Sequence, residues 1–218
     1  MAQDFEPRAN TVARLILAGL VLMPLTFVGL GYALERSDYV TGQNETVEQP
    51  IPFSHAHHSG EIGIDCRYCH TSVEVSAKAG LPPTTTCMSC HSQLWTEAEM
   101  LAPVRESLST GVRLKWEPVN ELPDYVYFNH SVHVTNGIAC TECHGSVGEM
   151  RLMRQAAPLT MDWCLDCHRD PVPYLQPPEM ITYPYRTTSQ MSEIDQAPLA
   201  EFYDIHPGGL TDCSTCHR

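Results

Sequence analysis

The sequence predicts one long apolar helix near the N-terminus, followed by a region of short helices and long loops with little sheet. Three observations predict this class. One run of twenty residues carries no charge, all ten cysteines fall into a single repeated motif, and the chain has 17 prolines in 218 residues. Because the region after the run lacks long apolar stretches, it cannot fill a large core with its own side chains. Bound groups are therefore expected to organise it.

The uncharged run covers residues 15–34 and predicts a transmembrane anchor helix. A helix of that length spans about 30 Å, the thickness of the hydrocarbon core of a bilayer. Pro24 lies within the run, and proline is tolerated in membrane helices. A cleaved signal peptide is the alternative. The run is long for a signal peptide, however, and no small-x-small cleavage site follows it.

The charges that flank the run predict its orientation. Positive residues precede it and acidic residues follow it: Arg8 and Arg14, then Glu35 and Asp38. Since positive flanks stay inside, residues 1–14 are predicted to be cytoplasmic and residues 35–218 to lie on the periplasmic face of the inner membrane. The formal net charge of −13 disfavours nucleic acid as a partner, because binding phosphates requires clustered Lys and Arg.

The cysteines form five C-x-x-C pairs, and each pair is followed directly by a histidine. The motifs, numbered first to fifth below, are Cys66-Cys69-His70, Cys87-Cys90-His91, Cys140-Cys143-His144, Cys164-Cys167-His168 and Cys213-Cys216-His217. C-x-x-C-H is the attachment signature of c-type haem. Two thiols at this spacing can bond the two vinyl groups of one porphyrin, and the histidine can then be the proximal ligand of its iron. The sequence therefore predicts a multihaem cytochrome c with five covalently bound haems c.

Two other uses of C-x-x-C fit less well. Zinc ribbons combine two such pairs per metal, and five pairs is an odd number. Disulfide bonds would suit an extracytoplasmic compartment, but they do not require a histidine after the second cysteine.

An internal repeat predicts the distal ligands. The pattern F-x-H-x-x-H precedes the first motif at residues 53–58 and the third motif at residues 128–133, with an offset of 75 residues. His206 stands seven residues before Cys213, as His133 stands seven before Cys140, and Tyr203 takes the place of the first histidine in this third copy. The predicted distal iron ligands are His55, His58, His130, His133 and His206. His57 has no equivalent in the second copy, where Val132 stands. As an alternative for one haem, the ligand could be Met150, Met153 or Met161.

The repeat also predicts the organisation of residues 35–218. The predicted parts are a di-haem module at 50–95, a connecting helix and loop at 96–125, a di-haem module at 126–170, a Pro-rich strap at 171–198 and a mono-haem half-module at 199–218. In the connecting part, Thr96 and Glu99 form a capping box that predicts the start of a helix. Pro103 is expected to bend that helix and Gly111 to end it. The strap has no helical or strand periodicity. We expect it to have no core to join and to wrap a neighbouring subunit.

Longer stretches carry a resemblance to a known family. F-x-H-x-x-H followed by clustered C-x-x-C-H resembles the cytochrome c3/c7 class of multihaem proteins. The segments Pro103–Ser107 (PVRES), Leu122–His130 (LPDYVYFNH) and Met161–Arg169 (MDWCLDCHR) resemble the pentahaem cytochrome subunit of alternative complex III, a menaquinol-oxidising membrane assembly.

This resemblance implies a function and a set of partners. The chain would be an electron-transfer subunit without substrate chemistry of its own and so without catalytic residues. It would relay electrons from polytopic quinol-binding membrane subunits, beside an iron–sulfur subunit, to a mono-haem cytochrome c or another soluble acceptor. One alternative is a self-sufficient membrane quinol dehydrogenase of the tetrahaem type. A second is a multihaem reductase, which would need a haem with an open distal position. The histidine count leaves no such haem evident.

Overall fold

The structure, a computed structural model, describes residues 6–186, 195–206 and 208–217. The chain divides into two compact units, Met1–Gly42 and Gln43–Arg218. In the first unit, helix α1 runs from Pro7 to Glu35. Pro7 stands in its first turn, where a missing N–H costs no hydrogen bond. The helix continues through Pro24.

Helix α1 contains the whole uncharged run. By length and composition it could cross a membrane, and a signal sequence near an N-terminus has the same properties. A short helix, α2 (Asp38–Thr41), follows it. Gly42 ends α2 with a φ of 69°, in the left-handed region where glycine is favoured.

The second unit consists of short helices joined by loops and turns. Its helices are α3 (Cys66–Cys69), α4 (Thr84–His91), α5 (Ala102–Thr110), α6 (His130–Thr135), α7 (Cys140–His144), α8 (Met161–Arg169), α9 (Ala197–Phe202) and α10 (Cys213–Cys216). A π-helical turn spans Ala56–Glu61, and 3-10 turns span Glu99–Leu101, Val147–Glu149, Val172–Tyr174 and Pro178–Met180. Within the described ranges, β-pairing is limited to isolated bridges. The predicted short helices and near absence of sheet are therefore confirmed.

Few apolar side chains are buried among the described residues of this unit. They are Ile51, Val73, Val104, Ala139, Val147, Met150, Ala157, Leu175 and Ile181. Val104 and Leu175 are the most completely enclosed. A core of this size agrees with the expectation that aliphatic packing alone does not organise the region.

The connecting helix differs in detail from its prediction. Helix α5 begins at Ala102, after the 3-10 turn at Glu99–Leu101, and not at the capping box near Thr96. Pro103 lies in its first turn, where proline fits without disturbing the backbone, so the expected bend was wrong. Gly111 ends the helix with a φ of 71°, as predicted.

The strap differs most from its prediction. Residues 171–186 pack on the chain itself, so the expectation that the strap has no core to join is wrong for this part. Leu175 is fully buried, and the backbone N–H groups of Cys140 and Gly148 donate to the carbonyls of Ile181 and Pro184. Residues 187–194 of the predicted strap lie outside the described residues.

The two predicted di-haem modules pack closely through their turns. A Cβ on Gly60, in the π-helical turn, would clash with the carbonyl oxygen of Gly148. A Cβ on Gly148 would in turn lie 2.8 Å from the ring of Tyr185. Glycine at position 60 therefore allows the two turns to approach closely, and glycine at position 148 leaves room for the ring of Tyr185 in the strap.

Candidate functional site

Each of the five C-x-x-C-H motifs places its cysteines on a short helix. These helices are α3, α4, α7, α8 and α10. Residues three apart in a helix lie on the same face, so the two sulfur atoms of each motif are presented together. All ten cysteines lie in the described ranges, and none of them is in a disulfide. In the described parts of the chain, no group of three or more His, Cys, Asp or Glu side chains converges as at a zinc site.

The two F-x-H-x-x-H segments have the same geometry. In each, the phenylalanine ring meets the first histidine edge-on and stacks on the second. The ring-centre distances are 4.9 Å for Phe53–His55, 4.4 Å for Phe53–His58, 4.8 Å for Phe128–His130 and 4.5 Å for Phe128–His133. The phenylalanine therefore holds two histidine rings in a fixed arrangement, and the repeat found in the sequence is a structural repeat as well.

Three of these histidines each face the histidine of a C-x-x-C-H motif. The ring-centre distances are 6.2 Å for His58–His91, 6.4 Å for His130–His144 and 6.0 Å for His133–His168. A bond between a metal and an imidazole nitrogen is about 2 Å long, so imidazoles bound on opposite sides of one metal ion have ring centres about 6 Å apart. These three pairs have the separation that two axial ligands of one iron require.

His55 is the remaining histidine of the repeat and is a candidate partner for the first motif. Burial lowers its pKa to about 4, and the nearby ring of His70 is the next cause. A histidine with this pKa is neutral at physiological pH, which is the form that binds a metal. The repeat places His55 eleven residues before Cys66, close to the ten residues between His130 and Cys140.

Hydrogen bonds fix the tautomer of most of these rings. In the motifs, Nδ1 of His70, His91, His168 and His217 donates to a backbone carbonyl oxygen, at 2.8 to 3.1 Å. Nδ1 of His58, His130 and His133 does the same at 2.8 to 2.9 Å. A proton on Nδ1 leaves Nε2 with a free lone pair, and metal-binding histidines typically have such a partner on the other nitrogen. The donor set therefore fits haem iron.

Two rings depart from this hydrogen-bonding pattern. His55 Nδ1 is buried without a hydrogen-bond partner. Nδ1 of His144 faces a side chain, the carboxamide of Asn120, at 3.1 Å. Asn120 lies in a loop without periodicity or motif, so the sequence alone does not mark it as a site residue.

The structure does not bring His206 into a ring pair of this kind. Its side chain is 80% exposed and its Nε2 lies 3.0 Å from Asp204 Oδ1. The ring next to His217 is that of Tyr125, at 5.9 Å. Tyr203 contributes to packing, since its hydroxyl donates to the carbonyl of Gln176 at 2.9 Å. The ligand role of His206 stays a prediction.

His57 and the candidate methionines lie in different environments. His57 Nδ1 is 2.8 Å from Glu61 Oε2, at an exposed site. Met150 is buried, and a Cβ on Gly145, next to His144, would lie 3.4 Å from Met150 Cε. Met161 is exposed. Met150 therefore packs beside the third motif, while His130 faces the histidine of that motif.

Comparison with known proteins supports a cytochrome. No family model matches the chain. Over 98 residues it is 40% identical to a protein of Nitratidesulfovibrio vulgaris (strain Hildenborough) named "Menaquinone reductase, multiheme cytochrome c subunit". The match covers 44% of this chain and 46% of that protein, so the chain spans about half the length of this curated relative. The similarity supports a multihaem c-type cytochrome with a link to quinone. The count of five haems and the assignment to alternative complex III stay predictions.

Proposed function

We propose that this chain is a membrane-anchored electron-transfer subunit that binds five haems c and works with quinone-reactive membrane subunits. The observation that carries the proposal is the set of three facing histidine pairs. Their ring centres are 6.0 to 6.4 Å apart, the separation that two axial ligands of one iron require. Each pair joins a C-x-x-C-H histidine to a histidine of the F-x-H-x-x-H repeat. Neither a zinc ribbon nor a disulfide framework requires such pairs.

We propose ligands for individual haems from these three pairs and from the position of His55 in the repeat. The axial pairs would be His55 and His70, His58 and His91, His130 and His144, and His133 and His168, for the first to fourth haems. For the fifth haem, His217 would be the proximal ligand and His206 the distal one, as the sequence predicts. Each haem iron would carry one electron by cycling between the ferric and ferrous states.

Contacts between the motifs suggest how the first three follow one another in space. The hydroxyls of Tyr68, within the first motif, and Ser89, within the second, are 2.9 Å apart. The first and third motifs meet on the strap: Cys66 Sγ lies 3.5 Å from the carbonyl oxygen of Thr182, and the Cys140 N–H donates to the carbonyl of Ile181 at 3.0 Å. The first motif therefore contacts the second, and through the strap it meets the third.

Other contacts extend this order to the fifth motif. His130 and His133 lie in one short helix, α6, and face the third and fourth motifs respectively. His168 of the fourth motif donates from Nδ1 to the carbonyl of Leu210, three residues before the fifth motif, at 2.9 Å. We therefore propose the spatial order second, first, third, fourth, fifth, so that the second and fifth haems are the ends of the electron path.

The partners follow from the similarity and from helix α1. The matched relative is named as a subunit of a menaquinone reductase, and we propose a menaquinone-linked complex for this chain too. We propose that α1 is a transmembrane anchor and that the haem unit lies on the periplasmic face. The finer assignment is the pentahaem subunit of alternative complex III, which passes electrons from menaquinol, through neighbouring quinol-binding and iron–sulfur subunits, to a soluble cytochrome c.

One experiment tests the function with the complex as it exists in membranes. The complex and the isolated chain are each mixed with dithionite and with a menaquinol analogue, and haem reduction is followed by stopped-flow absorbance. Dithionite should reduce both, whereas the quinol should rapidly reduce only the complex. Rapid quinol oxidation by the isolated chain would instead identify a self-sufficient quinol dehydrogenase. If the quinol does not reduce the complex, but the reduced complex transfers electrons to a menaquinone analogue, then electrons flow toward menaquinone, as the name of the relative implies.

A matched pair of variants tests the order. Removing the third haem with Cys140→Ala and Cys143→Ala should split the path, so that quinol rapidly reduces only two of the remaining four haems. Removing the fifth haem with Cys213→Ala and Cys216→Ala should leave all four others rapidly reduced when electrons enter at the second. If all four remaining haems are still reduced at the original rate without the third haem, the proposed order is wrong.

A further inference from the structure

The histidine of the third motif has a partner unlike those of the other four. Nδ1 of each of the other four donates to a backbone carbonyl, whereas Nδ1 of His144 faces the carboxamide of Asn120 at 3.1 Å. Asn120 is thus the partner that a substitution can remove. It lies in the loop between α5 and α6, distant in sequence from the motif that it contacts.

The chemistry of an iron-bound imidazole decides which amide atom faces His144. If Nε2 binds iron, Nδ1 carries the proton and requires an acceptor. The carboxamide oxygen Oδ1 of Asn120 is an acceptor, and it is buried without a partner in the orientation that places Nδ2 toward the ring. The two ends of a carboxamide have the same shape, so the hydrogen-bond partner decides between them. Rotating the group by 180° brings Oδ1 to Nδ1, so that Oδ1 can accept the Nδ1 proton.

The loop that carries Asn120 is held in place from another part of the chain. Gln49 Nε2 donates to the carbonyl of Glu117 at 2.9 Å, and the N–H of Glu117 donates to Gln49 Oε1 at 3.0 Å. This reciprocal pair of hydrogen bonds lies three residues before Asn120. It limits the movement of the loop and so of the carboxamide beside the ring.

The ring that Asn120 contacts also has a distinctive orientation. The planes of His144 and His130 are within 4° of parallel, whereas the planes of the His58–His91 pair differ by 63°. A hydrogen bond at Nδ1 restrains rotation of an imidazole about its bond to the metal. Asn120 is therefore placed to hold His144 parallel to His130.

We propose that Asn120 is a positioning residue for the third haem, and that its Oδ1 accepts the Nδ1 proton of His144. This inference rests on the proposed function. The bond fixes the tautomer and plane of His144 and increases the electron donation of the imidazole to iron. Stronger donation stabilises the ferric state, so Asn120 also helps to set the reduction potential of the third haem.

The test uses the full chain in its complex and follows a potential, not activity. Asn120→Leu removes the acceptor with little change in size, and Asn120→Asp replaces it by a stronger one. A redox titration monitored by EPR should show one of five midpoint potentials rising in the leucine variant and falling in the aspartate variant. The rhombic low-spin signal expected of parallel imidazole planes should change in Asn120→Leu, while the other four haems should keep their potentials.

The control is Asn136→Leu, at a half-buried position where the amide donates to the carbonyl of Val132. It should leave all five potentials unchanged. Unchanged potentials in both Asn120 variants, or shifts of the same sign in both, would overturn the inference, as would equal shifts of all five haems. If Asn120→Leu loses its haem, the Asn120→Asp variant decides: one lowered midpoint potential supports the inference, and an unchanged potential overturns it. If mass spectrometry of the wild type finds no haem on Cys140 and Cys143, the proposed function fails as well. If haem is present and its potential does not respond, only this inference fails.

Discussion

The histidine pair at the second motif leads to a sharp prediction for His58→Ala. The ring of His58 lies 6.2 Å from that of His91, so its removal should open the distal position of one haem. One of five haems, one fifth of the total, should then become high-spin in the oxidised protein. The same haem should bind one carbon monoxide per chain after reduction, because a five-coordinate ferrous iron has a free position.

The neighbouring residue provides a matched control. His57 lies in the same turn, but its side chain is half exposed and contacts Glu61. His57→Ala should leave all haems low-spin and unreactive to carbon monoxide. Visible and EPR spectra of purified protein, with carbon monoxide titration of the reduced form, measure both outcomes.

Exogenous imidazole separates ligand loss from misfolding. Added imidazole should enter the vacated site of His58→Ala and restore the low-spin spectrum. The assignment of His58 as a distal ligand would be refuted if His58→Ala stayed wholly low-spin, or if His57→Ala opened the distal position of a haem to the same extent. Either result would mean that the facing rings do not correspond to the ligands of one iron.

Two further predictions concern stability. Leu175→Ala, at a fully buried site in the strap, should lower the free energy of unfolding by about 2–5 kcal/mol in chemical denaturation. The control Leu81→Ala, at a 63% exposed site, should change it by less than about 0.5 kcal/mol. Equal effects of the two substitutions would show that the strap does not pack on the chain. The Arg67 hydrogen bond holds the pKa of Asp65 at about 2, below its usual 3.8, so its stabilising contribution is present above about pH 4 and lost as the pH falls through about 2. Asp65→Asn should therefore destabilise the protein near neutral pH and lose this effect below about pH 2, and an equal effect at both pH values would contradict the assignment.

Local patterns of the candidate site can be recognised in the sequence, whereas contacts between distant segments cannot, and particular residues show why. Attachment motifs and the F-x-H-x-x-H repeat are local patterns with a chemical reason for each spacing. Within each repeat, the phenylalanine and the second histidine are five residues apart, so local structure alone can bring Phe53 onto His58. The sequence could not say which distal histidine faces which motif, because that depends on contacts between distant helices.

The strap and Asn120 show the opposite case. Clustered prolines in residues 171–186 remove periodicity, and the sequence analysis equated this with a lack of packing. Buried Leu175 and Ile181 are single apolar residues among turns, and their partners lie far away in sequence. Asn120 likewise meets His144 across 24 residues through loop geometry. Such contacts have no signature that is readable in a single sequence.

The most direct test of the central claim is the intact mass of the chain purified from membranes under denaturing conditions. Covalent attachment predicts the mass of the 24.3 kDa polypeptide plus five haems, with the haem retained on the denatured chain. Replacing both cysteines of any one motif by alanine should reduce the mass by one haem and by the two sulfur atoms. A mass equal to the polypeptide alone, or zinc bound in place of iron, would contradict the account.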